Sequence, residues 1–128
     1  MGYDTKFQGT LKIEPALPLH LERKLSAFSR ERHDNSFPSI YCQWVPSGSG
    51  LLKWDGKEKF YEYEKWIEFL IDNFLKPNGH VLNGHIFYRG DKFEDAGVIE
   101  VENNHVTVRN WIEDYDLIEE VVKDVTNK

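Results

Sequence analysis

The feature that most constrains this chain is an alternation of apolar and polar residues in two separate segments. In residues 4–13, Phe7, Leu11 and Ile13 share one parity with Thr5 and a glycine, while the other parity is polar throughout. Residues 80–89 alternate in the same way, in the sequence HVLNGHIFYR. Because successive side chains of a strand point to opposite faces, both segments are predicted to be half-buried β-strands.

Three other segments have helical periodicity. Leu21, Leu25 and Phe28 are spaced for one face of a helix over residues 18–33, and Pro18 suits its first turn. The segment 58–76 carries the broadest apolar stripe of the chain. A further helix is predicted over Trp111–Val125. Short strands are predicted at 40–45, 51–54, 98–102 and 105–109, with a two-residue turn at Asn103–Asn104.

These patterns together predict an α+β fold with one domain over residues 1–128. Strands joined by short turns pair antiparallel, so the sheet is expected to have about five or six strands. The helices at 18–33 and 58–76 are expected to cover one of its faces, and the acidic helix at 111–125 to be peripheral or to mediate oligomerisation. The predicted core consists of Leu25, Phe28, Ile67, Leu70, Ile71 and Phe74.

Composition excludes several classes of protein. One cysteine rules out an internal disulfide framework, and no apolar run approaches the length of a membrane span. The N-terminus lacks the apolar core of a signal peptide, so we expect a cytoplasmic protein. The formal net charge is −6, with eight basic and sixteen acidic residues in 58–128. We therefore expect no duplex nucleic acid as a partner.

No motif in the sequence supports catalysis. The five histidines lack metal-ligand spacing, and His80 and His85 fall on opposite faces of the predicted strand. The single H-x-T tripeptide at 105–107 lacks the second copy that such phosphodiesterases need. Cys42 lies in an apolar segment without an activating cation, and Glu58 and Glu62 are typical of a solvated helix face. The sequence therefore predicts a protein that is not an enzyme and has no metal or other cofactor.

The aromatic residues between positions 41 and 66 are the most informative functional feature. Tyr41 and Trp44 have opposite parity, so they cannot both face one core if they share a strand. Aromatic rings outside a core stack on planar ligands such as nucleobases, and lysines and arginines bind phosphate. An interpretation as core packing with solubilising lysines stays open. The predicted ligand-binding residues are Trp44, Trp54 and Tyr61 for stacking, and Lys57, Lys59 and Arg89 for phosphate.

Three sequence blocks resemble a family of small uncharacterised proteins of bacteria and their phages. The blocks are GYDTKFQG at the start, YCQWVP at 41–46 and WDGKEKFY at 54–61, and the resemblance extends to about Val108. No catalytic residue is carried over from it. The resemblance implies a phage protein that counters host defence, since small phage proteins without catalytic motifs often do so.

Two functions of different classes follow. The first is a non-enzymatic sponge that sequesters a small nucleotide signal, such as a cyclic dinucleotide or an ADP-ribose derivative, in a pocket that a homo-oligomer would complete. The second is an acidic inhibitor or adaptor that binds a host defence protein. It would use the acidic residues of the C-terminal helix, which are Glu113, Asp114, Asp116, Glu119 and Glu120.

Overall fold

Seven strands and two α-helices make up the part of the chain described by the computed structural model, residues 3–111. The strands are β1 (Thr5–Gln8), β2 (Leu11–Glu14), β3 (Trp44–Ser47), β4 (Leu51–Trp54), β5 (Val81–Gly90), β6 (Ala96–Glu102) and β7 (His105–Asn110). The α-helices are α1 (Leu19–Arg30) and α2 (Tyr63–Leu70), and α2 continues through a π-helical turn (Ile71–Leu75) and a 3₁₀ turn (Lys76–Asn78). The predicted α+β class with an antiparallel sheet is confirmed.

The first predicted strand is divided in two by a kink at Gly9. β1 and β2 both pair antiparallel with the long strand β5, in one register that continues across the break. At the kink, Gly9 has φ +118°, and a Cβ there would lie 2.8 Å from the carbonyl oxygen of His85. This conformation is open to glycine and strained for any L-residue. The kink explains why the sheet has one strand more than the six that the sequence indicated.

The sheet order is β3-β4-β2-β5-β6-β7, and β1 extends the β2 side of β5. All pairs are antiparallel. The predicted turn between β6 and β7 is confirmed, because Asn103 and Asn104 both have positive φ, at 48° and 69°. The strand predicted at 40–45 is wrong at both ends. Residues 40–43 are not strand, and β3 instead runs from Trp44 to Ser47. It includes Pro46, whose missing N–H is tolerated because β3 is an edge strand.

Both helices contribute to a single buried cluster with one face of the sheet. Of the predicted core residues, all but Phe28 are buried, and Phe28 packs partly exposed against the cluster. Trp66 of α2 is also fully buried, which the sequence analysis did not predict. The predicted start of the second helix at 58 is wrong. Lys59 and Glu62 have positive φ values of 59° and 56°, so the helix begins only at Tyr63.

The opposite face of the sheet carries mostly exposed polar side chains. In β1 and β2 these come from residues of even number, and in β5 from residues of odd number. Within residues 3–111, no helix has the length and apolar character to cross a membrane. The helix predicted over 111–125 lies outside the described residues except for Trp111, and so do the acidic residues proposed for partner binding.

Candidate functional site

Trp44 is a core residue, so its predicted role as a stacking ring is corrected. Its side chain is 0% exposed, and its indole Nε1 donates a hydrogen bond to the carbonyl oxygen of Tyr63 at 2.8 Å. Phe7 and Phe60 meet its ring edge to face, each at 5.1 Å between centroids. Since Trp44 pairs with Trp54 on the covered face of the sheet, no surface of its ring is available to a ligand.

The other predicted stacking residues are not brought together. Trp54 is half-buried, with its Nε1 donating to Oε1 of Gln43 at 3.2 Å and its ring against Phe7. Tyr61 is 45% exposed, and its backbone carbonyl accepts a hydrogen bond from Ser39 Oγ at 3.0 Å. The same Ser39 hydroxyl accepts a hydrogen bond from the indole of Trp66 at 2.6 Å, which joins Tyr61 to the helical side of the molecule.

The predicted phosphate-binding residues divide into two groups. Lys57 lies exposed in a turn, where its backbone N–H donates to Asp55 Oδ1 at 2.8 Å. Lys59 is tied to the start of β1, because its N–H donates to Asp4 Oδ1 at 2.9 Å. Asp4 lines a cleft with Arg89. Asp4 therefore links the backbone of Lys59 to the cleft that Arg89 lines, and the side chains of Lys57 and Lys59 do not line that cleft.

We call the face of the sheet that the helices leave uncovered the open face. Arg89 belongs to a platform on this face that consists of two adjacent rows of side chains. The first row crosses the strands as Lys6, Arg89, Ala96 and Trp111, since Lys6 pairs with Arg89, Arg89 pairs with Ala96, and Trp111 N–H donates to Ala96 O at 2.9 Å. The second row is Gln8, Phe87, Val98 and Arg109. Strand neighbours lie about 4.8 Å apart, so each row spans about 14 Å.

A groove of about 370 Å³ lies on this platform. We call it the open-face groove, and its side chains are Lys6, Gln8, Phe87, Arg89, Ala96 and Trp111. Ala96 is the smallest side chain of its row and leaves space between Arg89 and Trp111. Phe87 and Trp111 are 47% and 36% exposed, so both rings present surface to solvent. The groove thus combines two accessible rings with two cations.

The open-face groove brings two cations side by side without a carboxylate partner. Lys6 and Arg89 are directly opposite on neighbouring strands. Like charges in this arrangement destabilise the sheet when no anion is bound between them. Among residues 3–111, neither has a carboxylate within ion-pair distance. Lys12 and Arg109 of the same face are paired, since Lys12 contacts Glu14 at 2.8 Å and Arg109 contacts Glu100 at 3.3 Å. Lys53 of β4 also lies on this face and makes no ion pair among residues 3–111, but it has no second cation opposite it, because it pairs with Val45. An anion in the open-face groove would relieve the repulsion between Lys6 and Arg89.

Two kinds of reactive site, a metal-ligating cluster and an activated thiol, are not found among residues 3–111. No group of three or more histidine, cysteine, aspartate or glutamate side chains within 3–111 is placed to hold a metal ion. Burial raises the pKa of the Cys42 thiol to about 12, so it is protonated at neutral pH and unsuited to nucleophilic attack. The open-face groove instead places exposed rings beside two cations, a lining that suits a planar anion.

Lys6, Phe87 and Trp111 were missed as candidate residues. The alternation of 4–13 and 80–89 already placed Lys6 and Phe87 on the polar parity of their strands. Phe87, an aromatic residue on the polar face of its predicted strand, was therefore the sequence signal that could have indicated this site. Neither segment alone predicts the pairing of β1 with β5, which makes Lys6 and Arg89 neighbours.

Comparison with protein-family models, curated proteins and solved structures finds no match for this chain.

Proposed function

We propose that this protein binds a small nucleotide in the open-face groove and releases it unchanged. The base stacks on Phe87 and Trp111, and the phosphate binds between Lys6 and Arg89. The observation that carries the proposal is the Lys6–Arg89 pair, two like charges held opposite each other beside two exposed rings in one groove. This replaces Trp44, Trp54 and Tyr61 with a different set of rings and keeps Arg89.

The energetics favour a ligand of this kind. Base–aromatic stacking contributes about 1–3 kcal/mol per base. An arginine hydrogen-bonds phosphate oxygens through a planar fork, and a lysine adds a point charge. Neither interaction requires bond making or breaking. In the cytoplasm of a host cell, such a protein would act by sequestration, as the resemblance to phage proteins implies.

Isothermal titration with AMP, ADP, ADP-ribose and cyclic di-AMP tests the proposal. Phe87→Ala is expected to weaken binding by about 1–3 kcal/mol, which is about 5- to 150-fold. Tyr61→Ala is the matched control, because Tyr61 is similarly exposed but lies away from the groove. Recovery of the intact nucleotide after binding separates a binding protein from an enzyme.

A second pair of variants tests the phosphate contact. Arg89→Ala is expected to weaken binding and to reduce its dependence on salt, because one screened contact is lost. Lys12→Ala, a cation of the same face that is already paired with Glu14, is expected to leave binding unchanged. The proposal fails if no nucleotide of the panel produces heat, or if Lys12→Ala and Arg89→Ala weaken binding equally.

A further inference from the structure

The open face continues beyond the groove in a third pair of side chains. Along β1 and β5, the pairs Gln8 with Phe87 and Lys6 with Arg89 are successive neighbours on this face. The next residues of the same parity are Asp4, just before β1, and Asp91, just after β5. Residues two apart in a strand are separated by about 6.7 Å. A ring, a cation pair and a carboxylate pair therefore follow one another along about 13 Å.

The carboxylate pair is held by backbone hydrogen bonds that leave part of each group uncommitted. Asp91 Oδ2 accepts from the N–H of Asp4 at 2.8 Å, and Asp4 Oδ1 accepts from the N–H of Lys59 at 2.9 Å. The second oxygen of each carboxylate makes no hydrogen bond or ion pair among the described residues. A carboxylate with a free oxygen is an acceptor for a hydroxyl donor.

These carboxylates share a cleft with the two cations. The cleft has a volume of about 330 Å³ and is lined by Asp4, Lys6, Arg89, Gly90 and Asp91. Because Lys6 and Arg89 also line the open-face groove, the two cavities meet at the cation pair. The loop after β5 is fixed by two contacts of Asp95. Its carboxylate accepts from the Tyr3 hydroxyl at 2.6 Å, and its carbonyl accepts from Gly90 N–H at 2.7 Å.

The order of these groups specifies the chemistry of the ligand. A carboxylate pair repels a terminal phosphate, and carboxylates commonly bind the hydroxyls of a ribose. We infer that the ligand is a nucleoside diphosphate whose far phosphate carries a second sugar with a free vicinal diol, an inference that rests on the proposed function. Its base lies on Phe87 and Trp111, its diphosphate on Lys6 and Arg89, and its terminal diol on Asp4 and Asp91. A cyclic dinucleotide fits less well, since its second base would meet the carboxylates.

Titration of ADP-ribose against ADP isolates the terminal sugar, because both molecules contain the same adenosine diphosphate. The wild-type protein is expected to bind ADP-ribose at least about tenfold more tightly than ADP, as hydrogen bonds to charged acceptors allow. Asp91→Asn keeps an oxygen for the Asp4 N–H but removes the charge. It is expected to reduce this advantage to about threefold or less and to leave ADP binding unchanged or stronger. Circular dichroism and thermal melting check that each variant folds.

Asp72→Asn is the control for the loss of one negative charge, since Asp72 is exposed on the helical side and lines neither the groove nor the cleft. It is expected to preserve the preference for ADP-ribose. Equal binding of ADP and ADP-ribose, tighter binding of cyclic di-AMP, or an unchanged preference in Asp91→Asn would overturn the inference and leave the proposed function standing. Absence of binding by every nucleotide would overturn both.

Discussion

Trp44 and Phe87 occupy opposite faces of the same sheet. Truncation of Trp44 is expected to reduce the stability of the fold, whereas truncation of Phe87 is expected to reduce the affinity for nucleotide. Trp44→Ala removes a fully buried indole, for which a loss of about 3–5 kcal/mol is typical. It also leaves the carbonyl of Tyr63 without its 2.8 Å donor, which adds about 1–3 kcal/mol if that carbonyl stays dry. The sum approaches the 5–15 kcal/mol by which domains are commonly stable, so this variant is expected to be marginally folded or unfolded.

A milder variant separates the two contributions. Trp44→Phe retains an aromatic ring against Phe7 and Phe60 but loses the N–H, so it is expected to cost about 1–3 kcal/mol. Phe87→Ala is expected to cost about 0.8–1.6 kcal/mol, because the residue is already 47% exposed and full burial of a phenylalanine is worth about 1.5–3 kcal/mol.

Urea unfolding followed by far-ultraviolet circular dichroism measures these losses, and nucleotide titration of the folded variants measures binding. Phe87→Ala should lose binding with little loss of stability, whereas Trp44→Phe should lose stability and keep its affinity. A Trp44→Ala protein that unfolds within about 1 kcal/mol of the wild type and binds nucleotide weakly would refute the assignment of Trp44 to the core.

Three further predictions concern the scaffold. Gly9→Ala should destabilise the protein by about 1–3 kcal/mol in urea unfolding, because Gly9 has positive φ and the new Cβ would contact the His85 carbonyl. Gly50 has open space around it, so Gly50→Ala should change stability little. Leu70→Ala, which empties a fully buried site on α2, should cost about 2–5 kcal/mol by the same measurement, and a loss below about 1 kcal/mol would contradict the assigned packing. Cys42 should react with Ellman's reagent at pH 8 only after unfolding. Because its pKa is raised to about 12 from about 9, its contribution to stability should be lost as pH rises from 9 towards 12, and Cys42→Ala should show a flatter decline over that range.

Periodicity in the sequence determined most of the strands and helices, and which of their residues are buried, although it misplaced residues 40–43 and the start of α2. The alternation of 80–89 predicted β5 almost to its ends, and the stripe of the second helix predicted the burial of Ile67 and Leu70. These properties are local, because a side chain's direction follows from its own backbone within a strand or helix. The start of α2 was missed because positive φ values at Lys59 and Glu62 depend on the surrounding chain.

Only the tertiary structure decided which residues share a site. Lys6 and Arg89 are 83 positions apart, and they become neighbours because the register of β1 on β5 continues across the kink at Gly9. Trp44 illustrates the converse. Its parity and its aromatic character suited a ligand as well as a core, and the pairing of β3 with β4 beneath Phe7 and Phe60 assigned it to the core. A period of two or 3.6 residues fixes the face of a side chain but not its neighbours, since strand order and register arise from contacts between segments distant in sequence.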